Sequence, residues 1–302
     1  MILYILPLLT MMNKSILRST FSLLNTDHVH LNKNWNYKNV TSTFYRLYFI
    51  EAGDGKLYNT AETLKLEESY LYLIPSFTTC NYQCDDHLSQ YYITFSEESA
   101  DGSSLFASNR KIFKTKATTS DVDSFKRILH LNPNRGLHTS HNPSVYEKRP
   151  VLKNFDELNE QIHISAYIET RGLLLQLLSR FMISGLFQSK DRGIIHSKIS
   201  DAINYIQTHL QQNITVADLA KRANHHPDYF SRLFQENTGE RPLAYLQSKR
   251  IERAQLLLTT TNMPFYEVAA ETGFENLSYF SRIFKNITGQ TPTAYKKHSL
   301  VI

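Results

Sequence analysis

Tyr229-Phe230-Ser231-Arg232-Leu233-Phe234 recurs fifty residues later as Tyr279-Phe280-Ser281-Arg282-Ile283-Phe284, with five of six residues identical. The match continues outward. Gly239 answers Gly289, Pro242 answers Pro292, and Ala244-Tyr245 answers Ala294-Tyr295. Upstream, Asp218-Leu219-Ala220 answers Glu267-Val268-Ala269 after a one-residue change of length. A self-similarity of this kind marks two copies of one supersecondary unit.

Each copy reads as helix, tight turn, helix. Thr215 is placed to cap a helix over Val216 to Arg222, and His225-His226-Pro227 leads into a second helix with proline in its first turn. In the other copy Pro264 opens a helix to about Thr272, Gly273 makes the turn, and Asn276 caps a helix from Leu277 to Asn286. Gly239 and Gly289 stand where a left-handed stop is expected. This is the grammar of the helix-turn-helix, twice. A helix over Ser197 to Gln211 precedes the pair, with Ile199, Ala202, Ile203, Ile206 and Leu210 on one stripe. Another, Leu243 to Leu258, joins the copies, burying Leu246, Ile251, Ala254, Leu257 and Leu258 and turning Lys249, Arg250 and Arg253 outward.

The helical period assigns Tyr229, Phe230, Leu233 and Phe234, and their counterparts Tyr279, Phe280, Ile283 and Phe284, to the core. Asp228, Ser231, Arg232 and Gln235 then lie on the opposite face of one copy, and Ser278, Ser281, Arg282 and Lys285 on that of the other. Such a ridge suits a DNA major groove, where arginine grips guanine with a two-pronged bond and serine serves base or phosphate. One polar ridge alone would read as a solvated face; the matched Ser-Arg pairs favour groove reading.

The first half reads as β. Phe44 to Ile50, Tyr70 to Ile74 and Gln90 to Phe95 are short aromatic and β-branched runs, and Ala52-Gly53-Asp54-Gly55 supplies a hairpin turn into Lys56 to Thr60. Strands at this spacing suggest a sandwich or barrel. From Asn154 the period becomes helical, through Phe155, Leu158, Ile162, Ala166, Ile168, Leu173, Leu174, Leu177, Leu178, Phe181 and Met182. That stripe is wide enough to pack on the β-domain or on a second chain. Ser189 to Gly193 breaks it and is the expected linker.

The 302 residues are 41% hydrophobic and carry a net charge of +5, which excludes disordered and collagen-like classes and favours two domains. Arg46 to Asp101 holds three basic and ten acidic residues, Arg110 to Lys153 ten basic and three acidic. From His196 onward the balance is only twelve basic to nine acidic, so pattern rather than charge points to nucleic acid. Met1 to Leu9 is apolar but shorter than the roughly 20 residues of a membrane span. It lacks a signal peptide's basic flank, and residues 1–11 read as an upstream extension before Met12 of a cytoplasmic protein with no membrane partner.

Cys80, Cys84 and His87 form a C-x3-C-x2-H run without a visible fourth ligand, so buried thiols are preferred to a metal site. A cupin enzyme would need clustered histidines and carboxylates, and Cys80 occupies the turn where such a histidine often sits; no nucleophile elbow, phosphate loop or paired-carboxylate motif is present. No cofactor or metal is expected. The competing readings are a metal-dependent cupin enzyme with a helical accessory domain and a helical protein-interaction module.

The stretches DLAKRA and YFSRLFQENTGERPLAYLQSKRIERAQLLL, then VAAETGFENLSYFSRIFKNITGQTPTAYKK, resemble the DNA-binding domain of the AraC/XylS family of bacterial transcription regulators. The resemblance implies a seven-helix domain on about two turns of promoter DNA, with Arg232 and Arg282 as leading base readers and His225, Arg250 and Lys285 as phosphate contacts. Gly53-Asp54-Gly55, YLYLIPSFTTCNYQC and QYYITF resemble, more loosely, the family's cupin-like sensor. That likeness implies a small effector such as a sugar, with Ala52, Tyr82, Gln90 and Tyr92 facing it, and a homodimer formed through Ile164 to Met182.

The expected architecture is α+β in two domains. A cupin-like β-barrel occupies 1–153, a helical dimerisation segment 154–188, a linker 189–196 and an all-α domain with two helix-turn-helix units 197–302. The expected function is effector-responsive, activating transcription regulation, with RNA polymerase as a further partner.

Overall fold

A computed structural model describes residues 19–60, 62–99, 104–106, 110–136, 142, 148–183 and 197–300. The proposed upstream extension and the 189–196 linker lie outside them. The chain divides into two compact units, one built mainly on 20–98 and 109–188 and the other on 189–301.

In the first unit, alternation decides which side chains meet. Strands β1 (Ser19–Asn32), β3 (Tyr45–Gly53), β6 (Tyr70–Ile74), β8 (His87–Ser99) and β9 (Phe113–Lys116) form one sheet in the order β1-β8-β3-β6-β9. Strands β2 (Asn36–Val40), β4 (Gly55–Tyr58), β5 (Thr63–Leu66) and β7 (Cys80–Gln83) form a second, in the order β2-β7-β4-β5. Successive side chains on a strand point to opposite faces. Tyr48 and Ile50 of β3, Tyr72 and Ile74 of β6, and Leu88 and Tyr92 of β8 therefore enter one core with Leu57, Leu66, Cys80 and Tyr82 of the second sheet. Phe49 and Tyr91 take the other face, where they meet Phe125 of helix α1 (Thr119–Leu131).

Two expectations are corrected here. The sheets remain separate ladders and do not close into a barrel among the described residues. The Gly53 turn makes no hairpin either: β3 pairs with β6 and β8, whereas β4 pairs with β5 and β7. The turn carries the chain from one sheet to the other, and Gly53, at φ 93°, passes so near His87 that a Cβ would sit 2.2 Å from its carbonyl oxygen. Turn chemistry in the sequence shows a reversal but not which ladder follows it.

Helices α2 (Arg149–Gln161) and α3 (Ile164–Ser179) carry the apolar stripe. Leu152 and Phe155 pack with Leu24 and Phe44, and Leu174, Leu177 and Leu178 are buried. Arg127 of α1 holds Glu169 of α3 in a two-pronged bond of 2.7 and 2.9 Å. The opposite edge of α3 leaves Ile164, Ile168 and Leu175 exposed. Helix α1 went unread in the sequence, although Thr118 and Asp121 form a reciprocal capping box ahead of buried Phe125 and Ile128.

From residue 197 to 300 every regular element is a helix: α4 (Ser197–Thr208), α5 (Val216–Arg222), α6 (Pro227–Thr238), α7 (Pro242–Thr260), α8 (Phe265–Glu271), α9 (Leu277–Thr288) and α10 (Pro292–Leu300). Capping residues set the boundaries. Thr215 Oγ1 accepts from the Asp218 amide at 3.2 Å while its own amide donates to the Asp218 carboxylate at 3.0 Å. Gly239 and Gly289 end α6 and α9 in the left-handed region, at φ 84° and 79°. Thr215→Ala should cost the unit about 1 kcal/mol, measurable as a lowered unfolding midpoint. The Thr215 hydroxyl and amide hold the Asp218 carboxyl below its usual range. The part of the wild-type advantage that comes from the hydroxyl donating to the Asp218 carboxylate is thus present above about pH 3.9 and is lost as pH falls through the lowered carboxyl pKa, while the amide-to-hydroxyl cap bond remains.

The duplication is geometric as well as sequential. Phe230 and Phe234 are 5.7 Å apart, as are Phe280 and Phe284. Phe234 meets Tyr245 at 5.5 Å and 72°, and Phe284 meets Tyr295 at 5.4 Å and 72°. Each copy has its own core, one spanning Ile199 to Leu246 and the other Ile251 to Phe284.

Candidate nucleic-acid interface

Burial of two phenylalanines per helix orients α6 and α9. With Phe230 and Phe234 fully inside, Asp228, Arg232 and Gln235 are exposed and Ser231 half-buried. With Phe280 and Phe284 inside, Ser278, Arg282 and Lys285 are exposed and Ser281 half-buried. All seven proposed base-contacting residues and Lys285 therefore lie on the two outward ridges.

The tyrosines preceding the phenylalanines depart from the core assignment: Tyr229 is 49% and Tyr279 39% exposed. The buried stripe of each helix centres on its phenylalanine pair, and the bulkier, polar-tipped tyrosine takes the flank of that stripe. There each has a contact of its own. The Arg282 guanidinium lies 5.3 Å over the Tyr279 ring, and His225 meets Tyr229 edge-on at 5.0 Å. The first stack pre-orients the guanidinium that the sequence singles out for base reading. His225 is half-buried and precedes α6 by two residues.

Charge divides the ridges unequally. Asp228 and Glu236 accompany Arg232 on α6, whereas α9 carries Arg282 and Lys285 without an acid. The second helix therefore presents the stronger positive field to an anionic partner.

Arg250 is the clear displacement. Expected to face outward toward phosphate, it is 7% exposed, donating from Nε to the Leu210 carbonyl at 2.9 Å and from Nη2 to the Gln212 carbonyl at 2.7 Å. Burial pushes its pKa below the usual arginine value. Lys249 is also buried, bound to Glu252 at 2.9 Å and 5.1 Å over the Tyr245 ring. Helical periodicity reads these positions as outward because it knows only of one packing partner. The connecting helix has neighbours on more than one side.

In the first unit, Tyr82, Gln90 and Tyr92 are buried. Tyr82 and Tyr92 share the inter-sheet core, and Gln90, between Leu88 and Tyr92 on β8, points to the same face. Ala52 is half-buried at the bulged end of β3, opposite Ser89. Sequence reading missed Arg46, which is 1% exposed and donates to the Tyr82 hydroxyl and, at 2.8 Å, to the Thr78 carbonyl. It also missed Asn25, whose Nδ2 donates to Tyr92 at 3.4 Å. A lone arginine inside the aromatic run FYRLYFI was the available signal. Among the described residues the buried Gln90 Oε1 and Thr78 Oγ1 have no hydrogen-bond partner.

Desolvation pushes the Tyr48 hydroxyl up to about 12 and the Cys80 thiol up to about 11. A thiol so protonated is a poor ligand and a poor nucleophile. Among the described residues no cluster of three or more His, Cys, Asp or Glu is arranged to hold a metal, and no helix is long and apolar enough to cross a membrane.

Residues 219–298 match a family of helix-turn-helix domains. The chain is similar to the HTH-type transcriptional regulator YobQ of Bacillus subtilis, 37% identical over 30% of this chain and 36% of that protein. It is also similar to the arabinose operon regulatory protein of Salmonella typhimurium, 34% identical over 41% of this chain and 46% of that protein. Among solved structures it is similar to the DNA-binding domain of AdpA, a global transcriptional factor in complex with a target DNA. That likeness is 31% identical, covers 33% of this chain and 90% of that one, and has a TM-score of 0.32. The chain spans less than half the length of the two curated relatives. These relatives are named as regulators, not as enzymes. The matched segment coincides with the turn-helix geometry that repeats at an offset of fifty residues, so the C-terminal unit is a helix-turn-helix domain similar to those of these transcription regulators.

Proposed function

We propose that the C-terminal unit binds double-stranded promoter DNA by laying α6 and α9 into successive major grooves. The observation that carries this reading is the pair of outward Ser-Arg ridges, Ser231-Arg232 and Ser281-Arg282, each opposite a buried phenylalanine pair. Supporting it, α7 has 19 residues and so a length of about 28 Å, comparable with the roughly 34 Å turn of duplex that separates two half-sites. Arg232, Arg282, Ser231, Ser278, Ser281, Asp228 and Gln235 read bases, an acid such as Asp228 accepting from a cytosine amine. Lys285 and His225 contact phosphate.

Titrating the full chain with duplex at two salt concentrations tests this. Binding that weakens steeply with salt is expected, and Lys285→Ala should lower the slope by about one while weakening all sequences alike. A chain indifferent to duplex at low salt would favour the protein-interaction reading of the same ridges.

The β-unit is proposed to sense a small effector between its sheets. Partnerless Gln90 Oε1 and Thr78 Oγ1, beside the Arg46, Tyr82, Tyr92 and Asn25 polar cluster, support a polar, hydroxyl-bearing ligand such as a sugar. The exposed Ile164, Ile168 and Leu175, spaced four and seven apart on α3, support self-association through an identical stripe of a second copy. Promoter activation through RNA polymerase completes the reading.

A further inference from the structure

Helix α7 serves two cores in succession. Tyr245 and Leu246 complete the first, and Ile251, Ala254, Leu257 and Leu258 belong to the second. Arg250 stands at the changeover. Its guanidinium reaches back to the carbonyls of Leu210 and Gln212, in the turn that follows α4. On its other side lies the turn of the second helix-turn-helix. Gly273, at φ 82°, is seated so closely that a Cβ would stand 2.3 Å from the Leu210 carbonyl oxygen and 2.8 Å from Arg250 Nη2. The Phe274 ring lies 5.6 Å from the same guanidinium. Nearby, Gln211 Nε2 donates to Glu271 at 2.7 Å, tying the same two segments a second time.

We propose that this joint of Arg250, Gly273 and the Leu210 carbonyl fixes the setting of α9 relative to α6, and thereby the half-site spacing that the protein accepts. Arg250 is a positioning residue, not a DNA contact. A planar fork holding two carbonyls specifies an orientation that an ammonium cannot reproduce, and a buried cation resists any displacement that would leave it unsatisfied. The two hydrophobic cores meet at this polar joint, so slippage there would turn one reading helix against the other while each core stayed packed. Two linked reading heads gain affinity from one another only when both can engage together. Each base pair inserted between half-sites rotates the second by about 34°, so a stiff joint demands one spacing.

The inference rests on the DNA-reading proposal above. Its test uses the full chain and duplexes that the wild type selects from a randomised pool, remade with single base pairs inserted or removed between half-sites, or with one half-site scrambled. The wild type should prefer its selected spacing by about tenfold or more. Arg250→Lys, which keeps the charge but not the fork, and Gly273→Ala, which wedges the joint from the other side, should flatten or shift that preference. Both should bind the single half-site duplexes as the wild type does, which also reports an intact fold.

An unchanged spacing profile in both variants would overturn the inference. So would a loss of single half-site binding equal to the loss on the full site, since Arg250 would then support the fold without setting the spacing. A wild type that selects no sequence at all would instead defeat the DNA-reading proposal, taking this one with it.

Discussion

Phe280→Ala should destabilise the second helix-turn-helix by about 3–5 kcal/mol. The ring is fully buried and meets Phe274 at 5.3 Å and Phe284 at 5.7 Å, both edge-on, so its removal forfeits contacts on two sides. A loss of that size is a large part of the roughly 5–15 kcal/mol that holds a domain folded. The first core, from Ile199 to Leu246, does not include this residue. Chemical denaturation should therefore show a new early transition for the second copy, with the first persisting, and Phe230→Ala should show the reverse. A single transition shifted by less than about 1 kcal/mol would mean that the site collapses around the cavity, against the expectation for a ring this enclosed.

Arg282→Ala should cost about 1–3 kcal/mol on the selected duplex and relax the preference at one base pair. The effect is expected to be specific because Arg282 is held over Tyr279, which reduces the freedom the guanidinium must give up to form a two-pronged bond with guanine. Tyr279→Phe keeps the ring and should keep the preference. Competition between the selected duplex and random duplex measures it. Equal weakening on both would show that Arg282 serves as a phosphate contact, the role proposed for Lys285, and carries no sequence information.

Much of the second unit was legible beforehand because its signals are local. Thr215 and Asn276 cap the expected helices, Gly239 and Gly289 stop them, and the buried phenylalanines follow from a period of 3.6. In the first unit, β3, β6 and β8 were legible as apolar runs. The long β1 went unread, although Phe21, Leu23, Val29 and Leu31 alternate along it. The residues proposed to read bases lie on the outward faces of α6 and α9, as the helical period places them. The sequence did not single out Arg46 and Asn25, which the structure places against Tyr82 and Tyr92, since a polar side chain in an apolar strand becomes meaningful only when a distant strand supplies its partner.

The sequence by itself determined the duplication, the helix boundaries and the outward Ser-Arg ridges, because caps, stops and the faces of single helices depend on residues at most a few positions apart. Only the tertiary structure decided that the Gly53 turn crosses between sheets, that the two sheets form separate ladders among the described residues, and that Arg250 turns inward. Each of those outcomes depends on what a distant segment places beside the residue. For Arg250 it is the Leu210 and Gln212 carbonyls, forty and thirty-eight residues away, and no local period carries that information.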